Sequence, residues 1–449
     1  MTAPLPPEPR PSLWSPLVVL GTILLVAGFV GVDAALGWVG TALALLFLAY
    51  LVRHLAFAVA AMRSAAGDVD DELPVVDEYR PPVTVLVAAH DEAVVIEALT
   101  ASLLALEYPR DRLQVIVVDD RSTDGTGPML DHIAAEDPGL TVVHRRRGER
   151  SGKSAALNAA IPFIRGEVTI VFDADHLPRP DVVWRLVRHF EDPHVGAAQG
   201  RCVIRNHAEV TLARAVAVDY LSGYMVNVYG RQALFELPAY GGANCAVRTD
   251  LLRELGGWNE ASVTEDTDLT MRVVLSGRRV RYDVTAVDTE EAVSTFGRFW
   301  RQRYRWARGH QQVLRDYWRQ VVRTPHLTRL EKVETLMFLA IFHVPVWCLF
   351  GLVLIVLRLL RIGDAAHGLD LVPVLTLLFA GPFVELGAGM LTAHAPRAVA
   401  WRVFRFVPLF FLFMLVTTRA WVEGIAGREY TWVRTERGGA PMTKTKVTT

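Results

Sequence analysis

Cysteine is scarce: Cys202, Cys245 and Cys348 are the three in 449 residues. They are widely spaced, form no Cys-x-x-Cys pair and make no even-numbered framework, which excludes a disulfide scaffold and a structural zinc knot. Cys202 and Cys245 read most simply as buried thiols in a reducing compartment. Net charge is nearly absent too, because 47 basic residues face 48 acidic ones for a formal charge of −1, a balance that hides strong local asymmetry. Two phosphate-binding fingerprints are missing, G-x-G-x-x-G and G-x-x-x-x-G-K-[ST]. Gly148 and Gly152-Lys153-Ser154 echo the second only superficially, since no strand leads directly into them. What is plentiful is apolar: hydrophobic residues make up 51% of the chain, mean hydropathy is +0.26, and the excess sits in blocks near the two ends.

Those blocks have the length of membrane spans. Residues 1–12 are proline-rich and read as a disordered tail. Apolar stretches at 13–32 and 36–61 each exceed the roughly 20 residues that cross a bilayer as a helix, so 13–63 reads as two transmembrane helices. No charged n-region and cleavage motif precede the first, which favours an anchor over a cleaved signal. Asp33 lies between the two stretches, whereas Arg10, Arg53, His54 and Arg63 lie on the other side, so the positive-inside rule puts whatever follows Arg63 in the cytoplasm. Residues 64–80 read as an acidic linker. Between 331 and 427 come about three more spans, near 336–357, 369–393 and 403–425. Pro345 and Pro382 would kink the first two, and Glu385, costly in lipid, should face protein or a water-filled path. Five spans would send the tail 428–449 outside, while its arginines and lysines favour the inside; one re-entrant or interfacial stretch reconciles the two.

Between the blocks, 81–293 alternates strand and helix. Residues 83–90, 113–120, 140–144 and 168–172 are apolar strands, separated by helices near 92–106, 126–135 and 151–164. This alternation implies a parallel sheet with right-handed crossovers. Asp119-Asp120 end the second strand; Asp173 and Asp175 end the fourth. Residues i and i+2 of an extended chain point the same way, so Asp173 and Asp175 can converge at the carboxyl edge, where open α/β sheets bind ligands. Carboxylates gathered there repel one another unless a divalent cation or the polar groups of a nucleoside join them. Oxygen ligands with open positions suit Mg²⁺ or Mn²⁺ carrying a phosphate group. Lys153 can offset diphosphate charge from the opposite wall.

An ordered series of motifs runs through this block: VVDDRSTDGT at 117–126, FDADH at 172–176, VTEDTDL at 263–269 and QRYRW at 302–306. Each is weak alone; together, with apolar flanks, they resemble the membrane-embedded family 2 glycosyltransferases, the group of cellulose, hyaluronan, chitin and poly-N-acetylglucosamine synthases. The resemblance implies an α/β GT-A nucleotide-sugar-binding domain, mostly parallel, inserted between transmembrane helices. It implies that His90, Glu92 and Asp120 hold the nucleoside, with His90-Asp91-Glu92 departing from the usual Asn-Glu. Lys153, Gln302 and Arg305 would lie along the nucleotide and diphosphate, and Asp173 and Asp175 would carry the diphosphate through Mg²⁺ or Mn²⁺, Asp175 more directly. Asp266 matches the general base, at a helix start that favours an anion. Gly242, Asn244, Glu265 and Trp306 would meet the acceptor. Direct attack with one base predicts inversion.

Residues 294–330 interleave arginine with tryptophan and tyrosine. Nucleic-acid binding is one reading of such a pattern; an amphipathic helix lying on the cytoplasmic leaflet is the better one, and no nucleic acid is expected as a partner. The resulting expectation is a multi-pass plasma-membrane enzyme with a cytoplasmic catalytic domain. It would extend a β-linked surface polysaccharide from a UDP-sugar and couple that to export. The alternative is a single-addition transferase making a glycolipid from a lipid acceptor. A transporter or scaffold with a vestigial nucleotide fold is disfavoured by the intact set of aspartates and Trp306. Glucose, N-acetylglucosamine and mannose donors all stay open.

Overall fold

The computed structural model describes residues 32–65, 79–208, 210–360, 371–392 and 400–428. The expected tail 1–12, the expected span 13–32 up to its last residue, most of the linker and the basic tail beyond Arg428 lie outside them.

An eight-stranded sheet organises the chain, in the order β3-β2-β1-β4-β7-β6-β8-β5. Its first half is the expected parallel one: β1 (Val83–Ala89) lies between β2 (Leu113–Asp119) and β4 (Val168–Asp173), and β3 (Leu140–His144) flanks β2. These strands are near-continuous apolar runs because helices cover both faces. Val85, Val87, Ile170 and Phe172 pack on α2 (Ile96–Leu104) and α3 (Thr126–Glu136). On the other face Leu86, Ile116 and Val171 meet Leu157 of α4 (Lys153–Ala160). Register then decides the chemistry. Ala89 of β1 pairs with Asp119 and Ala88 with Asp173, so both acidic strand ends reach the same edge.

The second half was not legible. β5 (Leu177–Pro178), α5 (Val182–Val187), β6 (Val195–Ile204), α6 (Thr211–Ser222), a π-helical turn (Gly223–Val228) and α7 (Tyr229–Phe235) precede β7 (Cys245–Arg248). α8 (Thr249–Glu254), α9 (Glu265–Leu275) and β8 (Arg279–Glu290) complete it. β7 runs antiparallel to both β4 and β6, which makes the sheet mixed, while β6 and β8 are parallel with a register shift. Four residues between a glycine turn and a helix give β7 no readable alternation, and the irregular β6–β8 ladder blurs theirs.

Helix α1 (Val32–Ala65) precedes the sheet; α10 (Phe296–Arg323), α11 (Arg329–Leu339), α12 (Val344–Leu359), α13 (Leu371–Thr392) and α14 (Ala400–Ile425) follow it. Among the described residues, Trp38–Arg63 of α1 and Pro408–Ile425 of α14 are long and apolar enough to cross a membrane, with a third span if α11 and 341–353, bent by 43°, count as one. The expected span at 336–357 is therefore not one kinked helix. It breaks at a 3₁₀ turn (Ile341–His343), and Pro345 falls in the first turn of α12, where its missing N–H costs nothing. Pro382 stays inside α13. The aromatic and arginine-rich stretch is α10, whose buried stripe includes Phe299, Gln302, Ala307, Val313 and Tyr317.

Candidate active site

The carboxyl edge of β1 and β2 is laced before any ligand enters. Asp91 accepts from the Thr123 amide at 2.6 Å, the Glu92 amide donates to Thr126 Oγ1 at 2.8 Å, and His90 Nδ1 lies 2.6 Å from the Asp120 carbonyl oxygen. Asp120 itself is buried against two arginines that sequence reasoning did not single out. Its Oδ1 accepts from Arg145 at 2.7 Å and from Arg121 at 2.9 Å, and its Oδ2 accepts from the Gly152 amide at 3.3 Å.

Lys153 opens α4. Its ammonium lies 2.5 Å from Asp173 Oδ1 and 3.4 Å from Glu265 Oε1, and donates to the Gly242 carbonyl at 2.8 Å. Burial would lower its pKa, but the Asp173 and Glu265 charges outweigh that and push it above the usual lysine value. Gly242 sits at φ +68°, and a Cβ there would stand 3.0 Å from Asp266 Oδ2, so the turn needs glycine on both counts.

Asp175 and His176 turn inward after β4 and are both buried. His176 Nδ1 makes a short contact with Asp288, and its Nε2 lies 2.9 Å from Glu290, both on β8. Burial opposes the imidazolium, yet Asp288 and Glu290 raise the His176 pKa well above its ordinary value. Ligand atoms of Asp173, Asp175 and His176 fall within 4.8 Å of one another, as do those of His176, Cys202 and Asp288. With the imidazole held by β8, the carboxylates of Asp173, which also holds Lys153, and of Asp175 border the crevice. Hard oxygens at a strand edge fit a hard divalent cation.

Asp266 stands in the first turn of α9, where its Oδ1 accepts from the Thr267 amide at 2.6 Å. Burial, with the Glu265 charge beside it, pushes its pKa up to about 6. From α10, Gln302, Arg305 and Trp306 face the same space. Gln302 Oε1 is buried without a hydrogen-bond partner among the described residues. The Trp306 ring carries the Arg303 guanidinium 4.4 Å above it, and Arg303 is fixed by Asp219 at 2.6 Å.

Every expected site residue except Asn244 borders one cavity of about 770 Å³. Asn244 departs from expectation. It is fully buried at φ +48°, and its amide donates to the Ala286 carbonyl at 2.8 Å and the Arg201 carbonyl at 3.2 Å. It joins β7 to its neighbours, while Gly241, Gly242 and Ala243 form the cavity wall. The cavity continues past Trp306 to Phe342, Pro345, Leu386, Leu409 and Phe413.

A family model described as "Glycosyltransferase like family 2" matches residues 81–309, just over half of the chain. The chain belongs to that family. It is 37% identical over 248 residues to a beta-monoglucosyldiacylglycerol synthase of Synechocystis sp. (strain ATCC 27184 / PCC 6803 / Kazusa), covering 55% of this chain and 51% of that protein. It is 27% identical over 237 residues to the poly-beta-1,6-N-acetyl-D-glucosamine synthase of Staphylococcus aureus (strain COL), covering 52% and 56%. The chain spans about half the length of these curated relatives. Among solved structures it is similar to the mannosyltransferase PcManGT of Pyrobaculum calidifontis in complex with GDP-Man and Mn²⁺, with 23% identity and a TM-score of 0.52 over 88% of this chain and 100% of that one. The fold is accordingly the GT-A-like α/β fold, with a mixed, mostly parallel sheet.

Proposed function

We propose that this chain is a metal-dependent, inverting glycosyltransferase that moves a sugar from a UDP-sugar to a hydroxyl of a lipid acceptor at a membrane. The observation that carries this reading is one cavity. It joins Lys153, Asp173 and Asp266 at its sheet end to apolar side chains of α12, α13 and α14 at the other.

In this reading His90, Glu92 and Asp120 flank the nucleoside. Asp173 and Asp175 hold Mg²⁺ or Mn²⁺, which when bound acts as a Lewis acid on the departing diphosphate. Lys153, Gln302 and Arg305 bring donors to the same charge. Asp266 takes the proton of the attacking hydroxyl; a carboxylate with a pKa of about 6 is a better base than an ordinary aspartate and is still ionised at neutral pH. Trp306, Gly242 and Glu265 form the acceptor side. Attack from the face opposite the leaving group turns an α-linked donor into a β-linked product.

The lipid acceptor takes support from the glycolipid-synthase relatives, which are more similar to this chain than the polymer-synthase relatives. Extension of a β-linked polysaccharide is the second reading, favoured by the QRYRW motif at 302–306. Labelled UDP-glucose, UDP-N-acetylglucosamine and GDP-mannose, each given to the protein in bilayer nanodiscs with diacylglycerol, separate the two. A chromatographically mobile single-sugar lipid is expected. Polymer held at the origin overturns the acceptor assignment, and transfer from none of the donors overturns the activity.

A further inference from the structure

The membrane-side half of the cavity contains a polar cluster that donor chemistry does not need. Between α6 and α7 the helix widens into the π-helical turn Gly223–Val228. Such turns insert a residue at a cost and concentrate at functional sites. Here the turn brings Tyr224 and Asn227 to the cavity wall. Asn227 Oδ1 accepts from Arg53 of α1 at 3.0 Å, and its Nδ2 makes a short hydrogen bond to Glu385 of α13. The other Glu385 oxygen lies 3.0 Å from His54 Nδ1.

A neighbouring group shows what a purely structural polar clamp looks like in this bundle. Arg53 grips Glu334 through two bonds of 2.8 Å, and Arg231 reaches the same carboxylate at 3.1 Å; both arginines border the cavity, while the Glu334 carboxylate they hold is buried behind them. In the second cluster the carboxylate itself, Glu385, borders the cavity, together with His54 and Asn227. A carboxylate on an apolar helix is expensive, and joining α1 to α13 does not require placing it beside a void. The same cavity is bordered by Phe342, Leu409 and Phe413. The space is therefore two-natured. At Asn227 it offers an amide N–H beyond the one held by Glu385, and at Phe342, Leu409 and Phe413 it offers apolar surface.

We infer that His54, Asn227 and Glu385 form an acceptor-selecting subsite. Glu385 orients Asn227 and His54, and the second amide N–H of Asn227 donates to an ester carbonyl of a glycerol-type lipid, while the lipid's chains lie against Phe342, Leu409 and Phe413. The inference rests on the lipid-acceptor reading above and adds which part of the lipid is read, and where. A site built to satisfy polar groups rejects an analogue that lacks them, because its own groups are then left unpaired.

The test uses the full chain in nanodiscs with two acceptors, a diacylglycerol and a long-chain primary alcohol of matched length, and follows labelled lipid and acceptor-free release of nucleoside diphosphate. The wild type should favour diacylglycerol by about tenfold or more. Glu385→Leu should erase that preference by lowering kcat/KM for diacylglycerol alone, with alcohol transfer, donor KM and acceptor-free release unchanged. Glu385→Gln, which keeps an oxygen to hold the Asn227 amide, should retain part of the preference. If Glu385→Leu does not fold, His54→Gln combined with Glu385→Gln should lower diacylglycerol transfer selectively. Equal losses on both acceptors would make the cluster a structural clamp and overturn the inference, as would an unchanged preference. A wild type active on neither lipid instead refutes the parent reading.

Discussion

The ammonium of Lys153 lies 2.5 Å from Asp173 Oδ1, so the carboxylate that ends β4 is shared between a lysine and the position a divalent cation would take. The same ammonium holds the Gly242 carbonyl and approaches Glu265. One side chain thus ties the acidic end of β4 to the glycine turn and to the helix that carries Asp266. Replacing Lys153 by Met should lower kcat/KM for the donor by about 10²–10³-fold, the range seen when one preorganised donor is lost. Steady-state kinetics with varied nucleotide sugar checks this.

The raised pKa of Asp266 has a definite sign in activity. A base works only when deprotonated, so kcat/KM should rise with pH, reach half its plateau near pH 6 and stay flat above it. Burial is the main cause and the Glu265 charge the next, so Glu265→Gln should move the acid limb to lower pH. Lys153 stabilises the Asp266 anion, so in Lys153→Met the limb should move up. Asp266→Asn should lose about 10²–10⁴-fold in rate at every pH. The folded state holds this proton more tightly than the unfolded chain, so the group's contribution to stability is complete below about pH 3.9. It is lost as pH rises through about 6.

Chelation tests the strand-edge carboxylates. Excess EDTA should abolish transfer, and Mn²⁺ or Mg²⁺ should restore it. Asp175→Ala should raise the Mn²⁺ concentration needed for half-maximal rate by at least tenfold, which a metal titration of initial rates reads directly. Activity that persists in EDTA would remove the cation from the reaction.

Gly309 of α10 faces Thr264, the residue before α9, and a Cβ at this position would stand 2.2 Å from Thr264 Cγ2 and 2.4 Å from its Oγ1. Gly309→Ala should therefore destabilise the protein by about 1–3 kcal/mol, the usual cost of overpacking, and reduce transfer by displacing Glu265 and Asp266. Gly387→Ala, where an added Cβ meets nothing within 4 Å, should leave the melting temperature unchanged or slightly raised. Thermal melts in nanodiscs compare the two.

Much of the sheet edge was readable because it depends on local pattern. Continuous apolar runs announce buried strands, and a period of two puts Asp173 and Asp175 on one side of the chain. The motif order places Asp120, Asp266 and Trp306 along the sequence, and all three border the cavity. The partners were not readable. Arg145 on Asp120, Asp288 and Glu290 on His176, and Glu385 beside His54 are contacts between residues far apart in the chain. A charged residue at a surface and one paired in a crevice look alike in sequence. Asn244 shows the reverse error: a polar side chain in a glycine turn reads as a ligand, yet the four-residue strand after it draws its amide into the sheet.

By itself, then, the order of residues determined the parallel half of the sheet, the acidic strand ends and the family to which the chain belongs. These follow from periodicity and from short motifs whose geometry is set within a few residues. Tertiary structure alone decided that Lys153 and Asp173 meet, that β7 turns the sheet mixed, and that one cavity joins the sheet edge to apolar helices and to the His54–Glu385 pair. Each of these depends on which distant surfaces pack together, and packing is chosen by the burial of the whole chain rather than by any local run.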